Sequence, residues 1–145
     1  MCIRDRLLDD AGFDLAGAVQ KMIGLLGKNP KGFFLVVHSD CHLKDVRISL
    51  ECVVALDKIV QSVSEAHSQD TLVLVTADHA YGLRVEGQKV EKSPDFLSQI
   101  SLLDDHTGED VPVLAIGPGS ERIGGFASNT DVFDWVRKGF GWSEK

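Results

Sequence analysis

The pair Asp78-His79 is the first part of this sequence that could perform chemistry. It follows the apolar run 72–76, which has the length and composition of a buried strand. In open α/β sheets, ligands bind at the carboxyl ends of the strands. A carboxylate and an imidazole there could bind one zinc ion, or one of them could orient the other. The simpler alternative is an Asp that caps a turn beside a His that rests in a loop.

A second candidate is His106, which stands shortly before the apolar run 111–116. We expect a strand over that run, and His106 could be another ligand at the same edge of the sheet. Glu109 and Asp110 could orient its imidazole or remain solvated. Taken by itself, His106 is more simply interpreted as a polar histidine in a loop.

The segment 38–42, with the sequence HSDCH, is a third candidate and follows the apolar run 33–37. His38, Asp40 and His42 are all potential metal ligands. Because His38 and His42 are four residues apart, they would share one face if the segment turned helical. The alternative is a loop that is rich in helix-capping residues.

Considered together, the three segments favour one shared metal site. Each of them lies next to a predicted strand, and independent placement of so many histidines beside strands is a weaker explanation than a common function. His67 differs from the others, because it stands at the end of a predicted helix. There it fits the ordinary role of a cation at a helix C-terminus.

Apolar periodicity predicts the elements that would position these side chains. The predicted helices cover residues 14–26, 48–63 and 129–138, and the predicted strands cover residues 33–37, 72–76 and 111–116. Buried apolar strands that alternate with amphipathic helices are typical of an α/β fold. We therefore expect a mostly parallel sheet flanked by helices on both faces. Residues 84–105 are polar without a clear period, and we interpret them as an excursion from this core.

Size and charge narrow the classes of function. A chain of 145 residues with 43% hydrophobic residues fits one modest domain. Its formal net charge of −7 disfavours binding to the phosphate backbone of nucleic acids. A small phosphate ester held by metal ions is not excluded, because the charge of the cations dominates inside such a site.

The cysteines and the N-terminal segment leave several alternatives open. The sequence contains Cys2, Cys41 and Cys52, an odd number without CxxC spacing, which argues against a disulfide scaffold or a cysteine zinc site. Cys41 and Cys52 could pair or could remain buried thiols, so the redox compartment stays undecided. No run approaches the length of a membrane span. Residues 1–12 lack the apolar core of a signal peptide, and a non-native start is one interpretation of them.

At these motifs the sequence resembles the alkaline phosphatase family, and the resemblance extends through most of the chain. Residues 28–35 (KNPKGFFL) resemble the family segment before a central strand, and residues 70–79 (DTLVLVTADH) contain its TADH motif. Residues 106–113 (HTGEDVPV), followed by AIGPG at 115–119, resemble another family block. Asn129-Thr130 and the last predicted helix resemble the family's ending. The TADH and HTGED blocks are highly specific when they occur together.

The resemblance implies a single partial alkaline phosphatase-like domain over residues 1–145, with a shortened insertion at 84–105. It implies that Asp78 and His79 are ligands of the zinc ion that activates a nucleophilic serine. It also implies that His106 is a ligand of a second zinc ion, on the leaving-group side. Two such metals clamp the attacking and leaving oxygens of a phosphoryl transfer.

The cofactors and partners follow from the same resemblance. Two zinc ions and a magnesium ion are expected in the family, and the expected substrates are small phosphate monoesters. Intact family members are commonly homodimeric, and they are periplasmic, extracellular or membrane-anchored. Neither property is visible in the sequence itself.

The HSDCH segment departs from the family pattern. When the sequences are matched backwards from the helix predicted over 48–63, His42 falls on a zinc-binding His and His38 replaces a zinc-binding Asp. A short stretch that holds the family's magnesium-binding Glu is then missing. When they are matched forwards from the strand 33–37, Leu43 and Arg47 fall on the ligand positions, and neither can bind zinc. We prefer the first alignment, in which the magnesium ligand is absent and the second zinc site is altered.

The resemblance also places the family's nucleophilic serine and phosphate-binding arginine upstream of the matched region, and Ser39 is an unsupported substitute. We therefore interpret the chain as the C-terminal fragment of a zinc-dependent alkaline phosphatase, which should be inactive alone. A non-catalytic, metal-binding module of alkaline phosphatase type is the main alternative. Membership of the wider group of metal-dependent phosphatases, sulfatases and phosphoglycerate mutases is a third, against which the HTGED block argues.

Overall fold

The computed structural model of the chain describes residues 2–5, 13–43, 45–85 and 96–142, with the backbone alone described for residues 2–5. The helices are α1 (Leu15–Leu26), α2 (Val46–His67) and α3 (Asp131–Gly139). The strands are β1 (Cys2–Asp5), β2 (Val36–Ser39), β3 (Val73–Thr76), β4 (Ala80–Val85), β5 (Ile100–Thr107) and β6 (Val113–Ile116). Short 3-10 turns lie at Phe96–Gln99 and Ser120–Arg122.

The chain divides into two compact units. Unit 1 consists of Met1–Ile59 and His79–Asp110, and unit 2 consists of Val60–Asp78 and Val111–Lys145. The second boundary falls between Asp78 and His79, in the middle of the motif that the sequence singled out. Unit 1 holds α1, most of α2 and the strand pairs β1–β2 and β4–β5. Unit 2 holds β3, β6 and α3.

Within the described residues, the strands form three sheets of two strands each. Strands β1 and β2 are parallel, whereas β3 and β6, and likewise β4 and β5, are antiparallel. The expectation of a mostly parallel sheet flanked by helices on both faces is therefore wrong. A short apolar run is compatible with either strand direction, so its periodicity cannot reveal which partner it finds.

Helix α1 begins and ends as its sequence predicts. The side chain of Asp14 accepts a hydrogen bond of 2.8 Å from the backbone N–H of Gly17, which caps the first turn. The helix buries Leu15 and Val19, which are four residues apart and therefore share one face. Gly27 follows the last turn, and its N–H donates to the carbonyl oxygen of Ile23.

Helix α2 is longer at both ends than the predicted range 48–63. Its start is fixed by Asp45, whose carboxylate accepts a 2.8 Å hydrogen bond from the backbone N–H of Arg47. The helix buries Val46, Ser49 and Cys52, which recur every three residues along one face. This buried face is central to the geometry of the candidate site in unit 1.

Residues 84–105 contain regular structure, although their sequence lacks a clear period. The segment includes the end of β4, a 3-10 turn and most of β5. Strands β4 and β5 pair from Ala80↔Thr107 to Val85↔Ile100, with a register shift between Tyr81 and Leu83. Such irregularity removes a clean alternation from the sequence, which explains why the strands were not predicted. Residues 86–95 lie outside the described part of the chain.

The segment 1–12 also contributes a strand. The backbone of β1 pairs with β2 in parallel, from Cys2↔Val36 to Asp5↔Ser39. The rest of that segment, residue 1 and residues 6–12, lies outside the description. The interpretation of residues 1–12 as a non-native start therefore stays a prediction.

Unit 2 is built on the pairing of β3 with β6, from Val73↔Ile116 to Thr76↔Val113. Gly117 follows β6 with a φ of 102°, which is a conformation that favours glycine. A Cβ at this position would overlap the carbonyl oxygen of Thr71, so the two backbones approach closely here. None of the helices in the described residues is long and apolar enough to cross a membrane.

Candidate metal centre

Three histidines from separate parts of the chain lie around one tyrosine in unit 1. His42 follows β2, and His79 immediately precedes β4. Tyr81 and His106 are direct partners in the pairing of β4 with β5. Cross-strand partners on one face of an antiparallel pair bring their Cβ atoms within about 5 Å of each other. The hairpin therefore accounts for the proximity of Tyr81 and His106.

The rings of these residues are in mutual contact. The ring of His42 stacks on Tyr81, with centroids 3.5 Å apart and planes inclined by 6°. His79 stacks on His106, with a centroid distance of 3.8 Å and an inclination of 21°. Tyr81 meets both of these histidines edge to face, at 4.7 Å from His79 and 5.1 Å from His106. We call these four residues the aromatic cluster.

His42 also has polar contacts that fix its place. Its Nε2 lies 3.2 Å from the carbonyl oxygen of Leu103 in β5. Its backbone N–H donates a hydrogen bond of 3.3 Å to the carboxylate of Asp40. Asp40, which the sequence offered as a potential ligand, thus contacts the backbone of the HSDCH segment.

The cysteine alternatives are resolved by the structure. Cys41 and Cys52 form a disulfide with a Cα–Cα distance of 5.4 Å, which joins the HSDCH segment to α2. The hydroxyl of Ser39 lies 3.7 Å from each of the two sulfur atoms. Ser39 is half-buried beside the disulfide, a position that does not support it as a nucleophile.

Two predicted ligands lie outside the aromatic cluster. His38 is a half-buried residue of β2, and the ring contacts among the described residues do not include it. It is therefore in a strand, although a loop after the strand was expected. Asp78 is exposed at the end of β3 and belongs to unit 2, whereas His79 belongs to unit 1. The roles of both residues as ligands stay predictions.

The donor types of the cluster suit zinc, but their arrangement is not that of a coordination shell. Imidazole nitrogens are common zinc ligands, and several of them lie within contact distance here. Among the described residues, however, no group of three or more His, Cys, Asp or Glu side chains is arranged to hold a metal ion. The lone pairs of an imidazole lie in its ring plane, so the stacked rings of His79 and His106 do not converge on one point.

Glu109 carries an altered pKa at the edge of this unit. The side chain of Thr107 stabilises the carboxylate and is the main reason why the pKa of Glu109 lies below its usual value of 4.5. The backbone amide of Glu109 acts in the same direction, and desolvation opposes both. Because its pKa lies below 4.5, the exposed Glu109 carries a negative charge at neutral pH.

Tyr81 is the member of the cluster that sequence reasoning missed. The chain contains a single tyrosine, and it stands two residues after His79. A strand beginning at Ala80 would have placed it opposite His106, but residues 80–85 were not predicted to form a strand. Only the pairing of β4 with β5 brings Tyr81 into the cluster, and apolar periodicity in the sequence does not predict that pairing.

Comparison with known proteins assigns the family. The family model described as alkaline phosphatase matches residues 6–103, which is more than half of the chain. The chain therefore belongs to the alkaline phosphatase family. The matched range includes the HSDCH segment, Asp78 and His79.

Several curated relatives align with nearly the whole chain. An alkaline phosphatase of Escherichia fergusonii is 30% identical in an alignment 150 positions long that covers 88% of this chain and 32% of the relative. An alkaline phosphatase of Escherichia coli strain K12 is 29% identical in an alignment 163 positions long that covers 97% of this chain and 34% of the relative. A streptomycin-6-phosphate phosphatase of Streptomyces griseus is 29% identical in an alignment 161 positions long that covers 88% of this chain and 35% of the relative. The chain thus spans about a third of the length of these relatives.

Proposed function

We propose that this chain supplies part of the metal-binding site of a zinc-dependent alkaline phosphatase that hydrolyses phosphate monoesters. The observation that carries this proposal is the contact of His79 with His106, with His42 joined to them through Tyr81. These histidines come from three separate segments of the chain. Membership of the alkaline phosphatase family supplies the reaction class.

The proposed zinc ligands are those that the motifs indicate: Asp78, His79, His106, His42 and His38. Zinc bound there would polarise phosphoryl oxygens and stabilise charge on the attacking and leaving oxygens. His79 and His106 would bind different zinc ions, so their stacked rings need not direct nitrogen lone pairs at one point. Magnesium is expected from the family, but we propose no residue of this chain as its Glu ligand.

The nucleophile is proposed to come from outside this chain. Ser39 is the only serine in the HSDCH segment, and it packs against the disulfide sulfurs at 3.7 Å. The proposal therefore assigns the covalent step to a serine in the part of the enzyme that this chain does not span. Alone, the chain should bind metal without turning over substrate.

The substrate class is proposed from the family and from one relative. The Streptomyces griseus relative is named for its action on streptomycin 6-phosphate. We propose the same general class, a phosphate ester on a small molecule, for the enzyme to which this chain belongs. The net charge of −7 argues against a nucleic acid as the partner. A homodimer is proposed for the intact protein, and light scattering on that protein would test it.

A second candidate function is a metal-binding module without catalysis. It is favoured by the departure of the HSDCH segment from the family pattern and by the position of His38 within a strand. In that case the metal would stabilise the fold of unit 1 rather than take part in a reaction. The first candidate predicts phosphatase activity once the chain is joined to a segment that carries the nucleophilic serine. The second candidate predicts metal binding without that activity.

The decisive experiment joins this chain to the part of the Escherichia coli relative that the chain does not cover, since the match spans only 34% of that protein. We expect the isolated chain to bind zinc and to leave 4-nitrophenyl phosphate intact, and the fusion to hydrolyse it. A His106→Ala fusion that keeps its circular dichroism spectrum should lose that activity. A folded, zinc-loaded but inactive fusion would support the module instead. Absence of zinc binding in both proteins would reject both candidates.

A further inference from the structure

We propose that the Cys41–Cys52 disulfide and Ser49 form an anchor that positions His42 in the aromatic cluster. This inference rests on the proposed function, because it assigns a positioning role around one of the proposed zinc ligands. The anchor lies entirely in unit 1, where the HSDCH segment, the first part of α2 and the β4–β5 hairpin are all found.

The backbone around His42 is tied to α2 on both sides. On the N-terminal side, Cys41 is bonded to Cys52, whose side chain is 1% exposed in the core. On the C-terminal side, the hydroxyl of Ser49 accepts a hydrogen bond of 3.0 Å from the N–H of Leu43. The same hydroxyl lies 3.1 Å from the carbonyl oxygen of Leu43 and donates to it. His42 is therefore the single residue between two attachment points.

The two attachment points share one face of the helix. Ser49 and Cys52 are three residues apart in α2, and Ser49 is 7% exposed. A buried serine on an otherwise apolar face needs hydrogen-bond partners, and it finds both of them in Leu43. The buried hydroxyl of Ser49 therefore attaches the loop to α2 through the backbone of Leu43.

The anchored loop holds the imidazole of His42 against strands β4 and β5. Its ring stacks on Tyr81 at 3.5 Å, and its Nε2 lies 3.2 Å from the carbonyl oxygen of Leu103. Without the two ties, the loop would lose the attachments to α2 on both sides of His42. Residues that orient a metal-ligating histidine typically change metal affinity by about 10-fold to 100-fold when they are removed. We expect an effect of that size here.

The first test counts thiols in the full chain. Denatured without a reductant, the protein should expose one reactive thiol per chain, that of Cys2, and three after full reduction with dithiothreitol. Three thiols without reduction would overturn the inference, because the bridge would not exist in the purified protein.

The second test compares a Cys2→Ser background with the same protein carrying Cys41→Ser and Cys52→Ser. In metal-free protein, the imidazole NMR signals of His42, assigned with a His42→Gln variant, should shift away from their wild-type positions. Those of His67, which lies in the last turn of α2, should stay in place. Unchanged His42 signals would overturn the inference. If the serine pair prevents folding, Ser49→Ala provides the same comparison with the disulfide intact.

The third test separates the inference from the function on which it rests. Cobalt(II), followed by its visible absorption, should bind the serine pair about 10-fold or more weakly than the Cys2→Ser protein. Equal affinities would overturn the positioning role while leaving the zinc proposal intact. If neither protein binds cobalt(II), the proposed metal function fails, and the NMR comparison still decides whether the anchor positions His42.

Discussion

The imidazole rings of His79 and His106 lie face to face, with centroids 3.8 Å apart and planes inclined by 21°. These residues stand 27 positions apart in the sequence and meet because β4 and β5 form a hairpin. The contact is close enough for both rings to serve neighbouring ions, but stacked rings do not direct their lone pairs at one point. We propose that the two rings bind neighbouring zinc ions, and the consequences of that proposal are measurable.

We expect the purified chain to bind about two equivalents of zinc, following the two-metal arrangement of phosphoryl-transfer sites. The reason is the supply of imidazole donors in unit 1 together with Asp78 in the TADH motif. Elemental analysis after dialysis against zinc and then metal-free buffer would measure the stoichiometry. A His67→Ala variant serves as the control, because His67 ends α2 and should not matter. Protein without zinc enrichment would contradict this expectation.

His106→Ala should weaken zinc binding by about 10-fold or more while the metal-free protein stays folded. His106 is exposed at the end of β5, so its removal leaves no cavity in a core. Isothermal titration measures the affinity, and thermal unfolding of the metal-free protein measures stability. A large fall in the unfolding temperature without metal would show instead that His106 has a structural role.

Tyr81→Ala should destabilise unit 1 by about 1 kcal/mol beyond the loss of buried area, as expected for a lost aromatic pair. Tyr81 is the ring on which His42 stacks and which meets His79 and His106 edge to face. The matched control is Tyr81→Phe, which keeps the ring and should stay within about 0.5 kcal/mol of the wild type. Urea unfolding compares the three proteins. Equal losses in both variants would assign the effect to the hydroxyl.

Gly117→Ala should destabilise unit 2 by more than about 1 kcal/mol, because alanine is strained at positive φ and its Cβ would overlap the carbonyl oxygen of Thr71. Gly119→Ala is the matched control, since Gly119 also has a positive φ, of 90°, but no atom within 4 Å of the added Cβ. The difference between the two variants in chemical unfolding isolates the steric overlap. If Gly119→Ala cost as much, strain in φ alone would explain both results.

The helices could be predicted from local sequence, because their determinants are local. Asp14 caps α1 at the predicted position, and the apolar spacing of Leu15 and Val19 defines the buried face. The predicted strands 33–37, 72–76 and 111–116 exist in shortened or shifted form as β2, β3 and β6. Their pairing was not predictable, because a four-residue apolar strand contains no information about its neighbour or its direction.

In the candidate site, too, some residues could be predicted from the sequence and others could not. Residue types and motifs in the sequence singled out His42, His79 and His106 as candidate ligands, and the resemblance in those motifs indicated the family that the family model matches. The sequence did not identify Tyr81, and it left the pairing of Cys41 with Cys52 open. The place of Tyr81 depends on a strand partner distant in sequence. The disulfide depends on which of the other two cysteines Cys41 meets in the folded chain.

The amino-acid sequence by itself thus determined the family, the chemistry of the side chains and the positions of the helices, because these depend on residue identity and spacing. Only the tertiary structure decided that β4 and β5 form a hairpin, that His42 reaches it from an anchored loop, and that His38 remains in β2. The physical reason is that strand pairing and loop attachment are choices among competing partners. Which partner a strand or loop finds depends on the packing of the whole chain, and the sequence of one segment does not determine it.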